Sequence, residues 1–120
     1  MADTVAERVA AGVAWLDQQD PGWWRTDAQG RGDANESWES GPINLEELSM
    51  HHPCYCVLGQ RWGTFYSAPL TLGDAVARGF HCQLGDYDPN ARPEEVEYDA
   101  LTAEWARVIE ERRAAVGAVV

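Results

Sequence analysis

The side chains that could ligate a metal ion fall in two clusters of the sequence. Zinc in proteins takes four ligands at the corners of a tetrahedron and favours thiolates and imidazoles, so residues from both clusters could together hold one ion. The candidate ligands are His51, His52, Cys54 and Cys56 in the first cluster and His81 and Cys82 in the second.

The spacing of these residues favours a simpler role. One residue separates Cys54 from Cys56, whereas paired zinc-binding cysteines usually have roughly two to four residues between them. Free cysteine is also among the residue types most often buried. We therefore predict that Cys54 and Cys56 are buried thiols, that Cys82 is more accessible and that the chain has no cofactor. A zinc-stabilised structural domain using His52, Cys54, Cys56, His81 and Cys82 stays open as the alternative.

The sequence holds no motif that predicts catalysis. It lacks a nucleophile elbow, a phosphate loop, a dinucleotide fingerprint and the His-Glu-x-x-His pattern of metalloproteases. A thiolate nucleophile at Cys54 or Cys56 beside His52 is disfavoured, because burial in an apolar helix raises the pKa of a thiol and leaves it inert. We therefore predict that the protein is not an enzyme.

The charge balance is strongly acidic. The chain has 20 acidic residues against 9 arginines, has no lysine, and carries a formal net charge of -11 at pH 7. Such a field repels nucleic-acid phosphates and anionic lipid headgroups, so direct binding to nucleic acid or to a membrane is not expected. It attracts a basic protein surface. We predict a small acidic accessory protein that acts by protein–protein interaction, with mimicry of nucleic acid at a basic site as an alternative.

Two acidic segments form the predicted interaction surface. Residues 26–41 and 85–97 contain nine of the twenty acidic residues, and residues 25–41 have the glycine-rich polar composition of a mobile loop. Acidic side chains would steer a partner, and an aromatic side chain would anchor it. The predicted contact residues are Glu36, Trp38, Glu39, Asp86, Tyr87 and Asp88. Packing of Trp38 back onto its own loop is the other interpretation of that indole.

Length and composition favour one globular domain in the cytoplasm. A chain of 120 residues with 45% hydrophobic residues can bury a sizeable core without a metal or a disulfide. No apolar run approaches the roughly 18 residues of a membrane-spanning helix, and the N-terminal residues lack the pattern of a signal peptide. Three cysteines are an odd number, as expected for free thiols in a reducing compartment. We therefore predict a single domain over residues 1–120.

The first element that must position these residues is a helix over residues 4–18. Its apolar residues recur at helical spacing, and Thr4 and Glu7 have the relation of a capping box. Gly12 weakens the middle of this helix, which predicts that another part of the chain packs closely against it. The helix must end before Pro21, where the chain turns.

Further helices follow along the chain. They are predicted over residues 53–62, over residues 72–78 and from Pro93 onward, each bounded by proline, threonine or glycine at its ends. Residues 44–50 favour a short helical turn, and residues 64–70 could be extended. The predicted fold class is mainly α: a small single-domain helical protein with long irregular loops, in which one short hairpin is allowed.

The predicted core lies between the two longest helices. Residues 4–18 should pack against residues 98–112 with Val57 and Leu58 between them, because these segments hold most of the aliphatic residues. The adjacent indoles of Trp23 and Trp24 should close one end of this core.

Several short motifs resemble one known family. They are Pro21-Gly22-Trp23, the stretch CYCVLGQ at residues 54–60, Gly79-Phe80, Tyr98, Leu101-Thr102 and Trp105. Together they resemble an uncharacterised family of small proteins encoded by actinobacteria and their bacteriophages. The resemblance implies a GC-rich phage gene, in agreement with the absence of lysine, and a host protein as the partner in the bacterial cytoplasm. It carries over no activity and no catalytic residue.

Overall fold

The protein is mainly helical. The computed structural model describes residues 4–30, 40–52, 54–81 and 93–119. Its α-helices are α1 (Val5–Gln19), α2 (Val57–Trp62), α3 (Leu72–Ala77) and α4 (Pro93–Val119), and one turn of 3-10 helix spans Phe65–Ser67. These ranges contain no strand, so the hairpin that the sequence allowed is not found in them.

Local sequence signals set the ends of these helices. The Thr4 hydroxyl accepts a hydrogen bond of 3.1 Å from the backbone N–H of Glu7, and Thr71 caps α3 in the same way. The chain leaves α2 at Gly63 with a φ of 94°, and it turns after α3 at Gly79 with a φ of 73°. Both values lie in the left-handed region that favours glycine. The caps predicted at Thr4 and Thr71 and the stops predicted at Gly63 and Gly79 are therefore confirmed.

The start of α2 corrects one prediction. The helix begins at Val57 rather than at Pro53, and Cys56 is its N-cap, with its sulfur accepting a hydrogen bond from the N–H of Gly59. The backbone before it forms a turn, because the N–H groups of Tyr55 and Cys56 both bond to the carbonyl of His52. Cys54 therefore precedes the helix and does not belong to it.

Two further segments differ in detail from their predicted conformations. Residues 64–70 are not extended throughout, since the 3-10 turn at Phe65–Ser67 lies within them and the N–H of Ala68 bonds to the carbonyl of Phe65. Residues 44–50 contain only a turn, in which Leu48 is buried and Leu45 is partly buried, as the pattern indicated.

The core lies where α1, α2 and α4 meet. Its fully buried aliphatic side chains are Val9, Leu16, Val57, Leu58, Leu101 and Ile109. Aromatic rings complete it: Trp105 stacks on Phe80 at 5.0 Å between ring centroids and meets Trp23 edge-on at 5.6 Å. The predicted packing of α1 against α4 is therefore confirmed, and Val57 and Leu58 belong to the same buried cluster. Trp23 is buried, and Trp24 is partly buried and packs against that cluster.

Gly12 allows the close approach that the sequence predicted. A Cβ atom at this position would lie 2.1 Å from the carbonyl oxygen of Arg78 and 2.8 Å from the ring of Trp105. The same indole donates a hydrogen bond of 2.8 Å to the carbonyl of Gly79, the residue after Arg78. Glycine therefore brings α1 directly against the end of α3 and against α4.

Asp17 ties α1 to the far end of α4. Its carboxylate accepts two hydrogen bonds from Arg112, at 2.9 and 3.0 Å, and one of 3.1 Å from the indole N–H of Trp23. Partial burial by itself would raise the pKa of Asp17, but these hydrogen bonds and the Arg112 charge outweigh it and lower the pKa below its usual range.

Among the described helices, none combines the length and the apolar character needed to cross a membrane.

Candidate functional site

A groove of about 670 Å³ lies between the segment before α2 and the chain that returns from residues 31–39. One wall is the stretch at residues 40–47, and the other is the turn at residues 52–55. The floor comes from Gln60 and Gly63 at α2. The described residues that line it are Ser40, Gly41, Pro42, Asn44, Glu47, His52, Cys54, Tyr55, Gln60 and Gly63.

The Gln60 side chain holds the two walls together. Its amide oxygen accepts a 2.6 Å hydrogen bond from the N–H of Asn44, and its amide nitrogen donates to the carbonyl of Asn44 at 3.2 Å. The same nitrogen donates to the carbonyl of Tyr55 in the other wall at 2.9 Å. Since Gln60 is itself buried in α2, these bonds fix the width of the groove to the helix.

Aromatic and acidic side chains give the groove its chemistry. The rings of His52 and Tyr55 lie 4.5 Å apart, and 45% of Tyr55 is exposed. The Nδ1 atom of His52 accepts a hydrogen bond from the N–H of Cys54, so the proton of the neutral ring lies on Nε2. Glu47 is exposed, and no described cation lies within ion-pair distance of its carboxylate. The groove is therefore lined by a negatively charged side chain and by a partly exposed aromatic ring.

A buried ion pair secures the chain next to the groove. The guanidinium of Arg61 donates two hydrogen bonds to Asp20, at 2.7 and 3.1 Å, and one each of 2.6 Å to the carbonyls of Gln29 and Gly41. These carbonyls lie on either side of residues 31–39. A Cβ atom on Gly30 would lie 2.2 Å from the hydroxyl of Ser40, so the two ends of that segment are in contact.

The sequence analysis missed Gln60 and Arg61. Both are polar residues inside the short apolar helix α2, and that mismatch is the signal that could have identified them. Apart from Tyr55, which is five residues from Gln60, their side-chain partners lie 16 to 41 residues away in the chain, so no local pattern predicts them.

The two described thiols differ in burial, and only one of them agrees with the prediction. Cys56 is buried, and burial raises the pKa of its thiol to about 11. Cys54 is only partly buried, because it precedes α2 and lines the groove. The prediction of a buried thiol is therefore confirmed for Cys56 and wrong for Cys54. Cys82 lies outside the described residues.

Two of the candidate metal ligands, one from each cluster, meet at the N-terminal part of α4. The ring of His51 stacks on Tyr98 with 4.7 Å between centroids, and the Nε2 atom of His81 is 3.3 Å from the hydroxyl of Tyr98. His52 instead contacts Tyr55 in the groove. Across the described ranges, no three side chains of the histidine, cysteine, aspartate or glutamate type are grouped so that they could hold a metal ion.

The predicted contact residues belong to two segments outside the described residues. Glu36, Trp38 and Glu39 belong to residues 31–39, and Asp86, Tyr87 and Asp88 belong to residues 82–92, so all six lie outside the described residues. Trp38 is two residues from Ser40 in the sequence, and Ser40 lines the groove.

The described arginines are all engaged within the molecule. Six of them form ion pairs: Arg8 with Glu97, Arg25 with Asp27, Arg61 with Asp20, Arg78 with Asp74, Arg107 with Glu104 and Glu111, and Arg112 with Asp17. Arg113 donates instead to the carbonyls of Trp24 and Ile43. By contrast, the side chains of Glu7, Glu46, Glu47, Asp99 and Glu110 have no ion-pair partner among the described residues.

Comparisons of the chain with protein-family models, with curated protein sequences and with solved structures find no match. The interpretation of its function therefore depends on its own residues. Of the motifs quoted above, the stretch at residues 54–60 has a clear structural role, since it supplies the N-cap Cys56 and the bridging Gln60.

Proposed function

We propose that the chain is a non-enzymatic accessory protein that acts by binding another protein with a basic surface. The observation that supports this most directly is the distribution of charge. Each described arginine has an ion pair or hydrogen bonds within the molecule, although Nε and Nη1 of the buried Arg8 lack a described partner, whereas several exposed carboxylates, among them Glu47 and Glu110, have no described cation beside them. The charge left for a partner is negative, and this favours fast encounter with a basic surface.

The groove supplies the packed contacts on which affinity depends, and exposed charges alone do not supply them. Exposed carboxylates act mainly on the rate of encounter and its salt dependence, whereas affinity depends on a few well-packed contacts. Tyr55 is a suitable contact residue because its ring is half exposed at a groove whose walls are fixed by Gln60. Trp38 and Tyr87 are also proposed as anchors, because each is an aromatic residue within one of the two acidic segments.

The proposed setting is the cytoplasm of a bacterial host, with the protein encoded by a phage and directed at a host protein. The resemblance to the actinobacteriophage family and the use of arginine without lysine support the phage origin. The odd number of cysteines, with Cys54 and Cys56 both present as free thiols, fits a reducing compartment.

The proposal is tested by affinity capture from an actinobacterial lysate. The chain is immobilised, retained proteins are identified by mass spectrometry, and each candidate is purified so that its dissociation constant can be measured from about 50 to about 500 mM salt. The expected result is a basic protein whose affinity falls steeply as salt rises. A retained protein that is not basic, or an affinity independent of salt, would contradict the proposal. Competition by duplex DNA for the same partner surface would identify the interaction as nucleic-acid mimicry.

A further inference from the structure

We propose that the groove beside α2 is a binding site for an arginine side chain presented by the partner protein. The inference rests on the proposed function, since it assumes a basic partner. It goes further by naming the residue type that the partner inserts and the atoms that receive it: the Glu47 carboxylate and the Tyr55 ring.

The charge in the groove fits a cation. Glu47 lines it with no described cation in ion-pair range, Glu46 is adjacent in the chain, and none of the described lining residues is an arginine. Among the described lining residues, His52 is the one with a basic side chain. Arg61 lies beneath this region, but its charge is opposed by Asp20 at 2.7 Å. A guanidinium entering the groove therefore meets an unpaired carboxylate.

The ring in the groove distinguishes arginine from other cations. Tyr55 is 45% exposed and is backed by the imidazole of His52, whose centroid lies 4.5 Å away. A planar guanidinium stacks on an aromatic face and can at the same time donate two parallel hydrogen bonds to a carboxylate. The compact ammonium group of lysine offers no flat face and no such fork. The pairing of Tyr55 with Glu47 therefore favours arginine.

The groove is held ready for a ligand. Gln60 links Asn44 to Tyr55 through bonds of 2.6 to 3.2 Å, and the turn before α2 is closed by the bond of 2.9 Å from the N–H of Cys56 to the carbonyl of His52. Walls fixed in this way lose little conformational freedom on binding. The volume of about 670 Å³ lies within the roughly 300 to 1,000 Å³ of small-ligand sites.

The test is an NMR titration of the full chain with a defined probe. Acetyl-Gly-Arg-Gly-amide is added to ¹⁵N-labelled protein, and amide chemical shifts are followed to millimolar concentration. The matched probes carry citrulline, which keeps the shape without the charge, and lysine, which keeps the charge without the plane. Saturable shifts confined to the groove, including the side-chain amide of Gln60 and the backbone of Tyr55, are expected. Citrulline should give none, and lysine should bind at least about threefold more weakly.

Two groove variants and one control distinguish binding at this site from nonspecific attraction to the negative charge of the protein. Glu47→Gln and Tyr55→Leu should each weaken binding of the arginine probe about three- to tenfold. Glu110→Gln removes an exposed carboxylate on α4 that does not line the groove, and it should leave the affinity unchanged. A circular-dichroism spectrum of each variant identical to that of the parent shows that the fold is kept.

A second readout uses the thiol in the groove wall. In a Cys82→Ser background, Cys54 is the accessible thiol of the described part of the chain, because Cys56 is buried. The arginine probe should slow alkylation of Cys54 at least about twofold at saturation, and the citrulline probe should not.

The outcomes also separate this inference from the proposed function. Loss of affinity in Glu110→Gln equal to that in Glu47→Gln, or the absence of saturable shifts in the groove, would overturn the arginine site. If a captured basic partner still binds the Glu47→Gln variant with unchanged affinity and salt dependence, the groove is not the site, while the protein-binding function stands. Loss of partner binding in that variant but not in Glu110→Gln supports both.

Discussion

The ion pair between Arg61 and Asp20 makes a sharp prediction about stability. Their side chains are 2% and 4% exposed, and besides its bidentate contact with Asp20 the guanidinium bonds to the carbonyls of Gln29 and Gly41. We consider the variants Arg61→Leu and Asp20→Leu, each of which leaves one charge buried without its partner.

The expected loss follows from that burial. Removing one member of a buried ion pair costs about 3 to 5 kcal/mol, because the remaining charge stays desolvated. The total free energy of unfolding of a domain is about 5 to 15 kcal/mol, so each single variant should lose a large part of it. At about 3 to 5 °C per kcal/mol for a chain of this size, the melting temperature should fall by roughly 10 to 20 °C. The double variant removes both charges of the pair and should be less destabilised than the sum of the single variants.

The measurement is a double-mutant cycle. Urea unfolding is followed by tryptophan fluorescence for the parent, the two single variants and the double variant, and the coupling energy is expected to exceed about 2 kcal/mol. Arg25→Gln is the matched control, because Arg25 pairs with Asp27 at the surface, where the two side chains are 50% and 73% exposed. That variant should cost less than about 1 kcal/mol. A coupling energy below about 0.5 kcal/mol, or an Asp20→Leu variant as stable as Arg25→Gln, would refute the reasoning.

Four further predictions follow from the packing and the titrating groups. Gly12→Ala should destabilise the protein by about 1 to 3 kcal/mol despite its better helix propensity, because the added methyl group overlaps backbone and indole atoms; an increase in melting temperature would contradict this. Leu101→Ala should cost about 2 to 5 kcal/mol in urea unfolding as a cavity in the core, and a loss below about 1 kcal/mol would place it outside. Folding lowers the pKa of Asp17, so its carboxylate stabilises the protein above about pH 4, and this stabilisation is lost as the pH falls further. The difference in unfolding free energy between the parent and Asp17→Asn should therefore shrink as the pH is lowered below about 4. In the folded protein at pH 8, iodoacetamide should modify Cys54 well before Cys56. The pKa of Cys56, about 11, leaves roughly one of its thiols in a thousand ionised at that pH. Equal rates of modification would refute the burial of Cys56.

Helix positions were predictable because their signals are local. The Thr4 hydroxyl reaches an N–H three residues away, and Gly63 ends α2 through its own backbone conformation. The start of α2 was predicted wrongly because Pro53 and Cys56 can both precede a helix. The choice between them depends on the turn closed by the carbonyl of His52, which a pattern of residue types does not reveal.

The groove could be predicted only in fragments. Its motif residues at 54–60 stood out in the sequence, and His52 and Cys54 were named there only as alternative metal ligands or as a disfavoured catalytic pair. Their surroundings were not, because the other wall comes from residues 40–47 and is joined to Tyr55 through Gln60.

What the sequence determined by itself is therefore the class of fold, the capped ends of its helices except the start of α2, the acidic character of its surface and the identity of the main core residues. Each depends on composition or on spacing within a turn or two of helix. What only the tertiary structure decided is where Gln60 and Arg61 point and which distant groups satisfy them. A buried polar side chain must find partners, and the partner of Arg61 lies 41 residues away. That choice exists only once α2 has been packed against the rest of the chain.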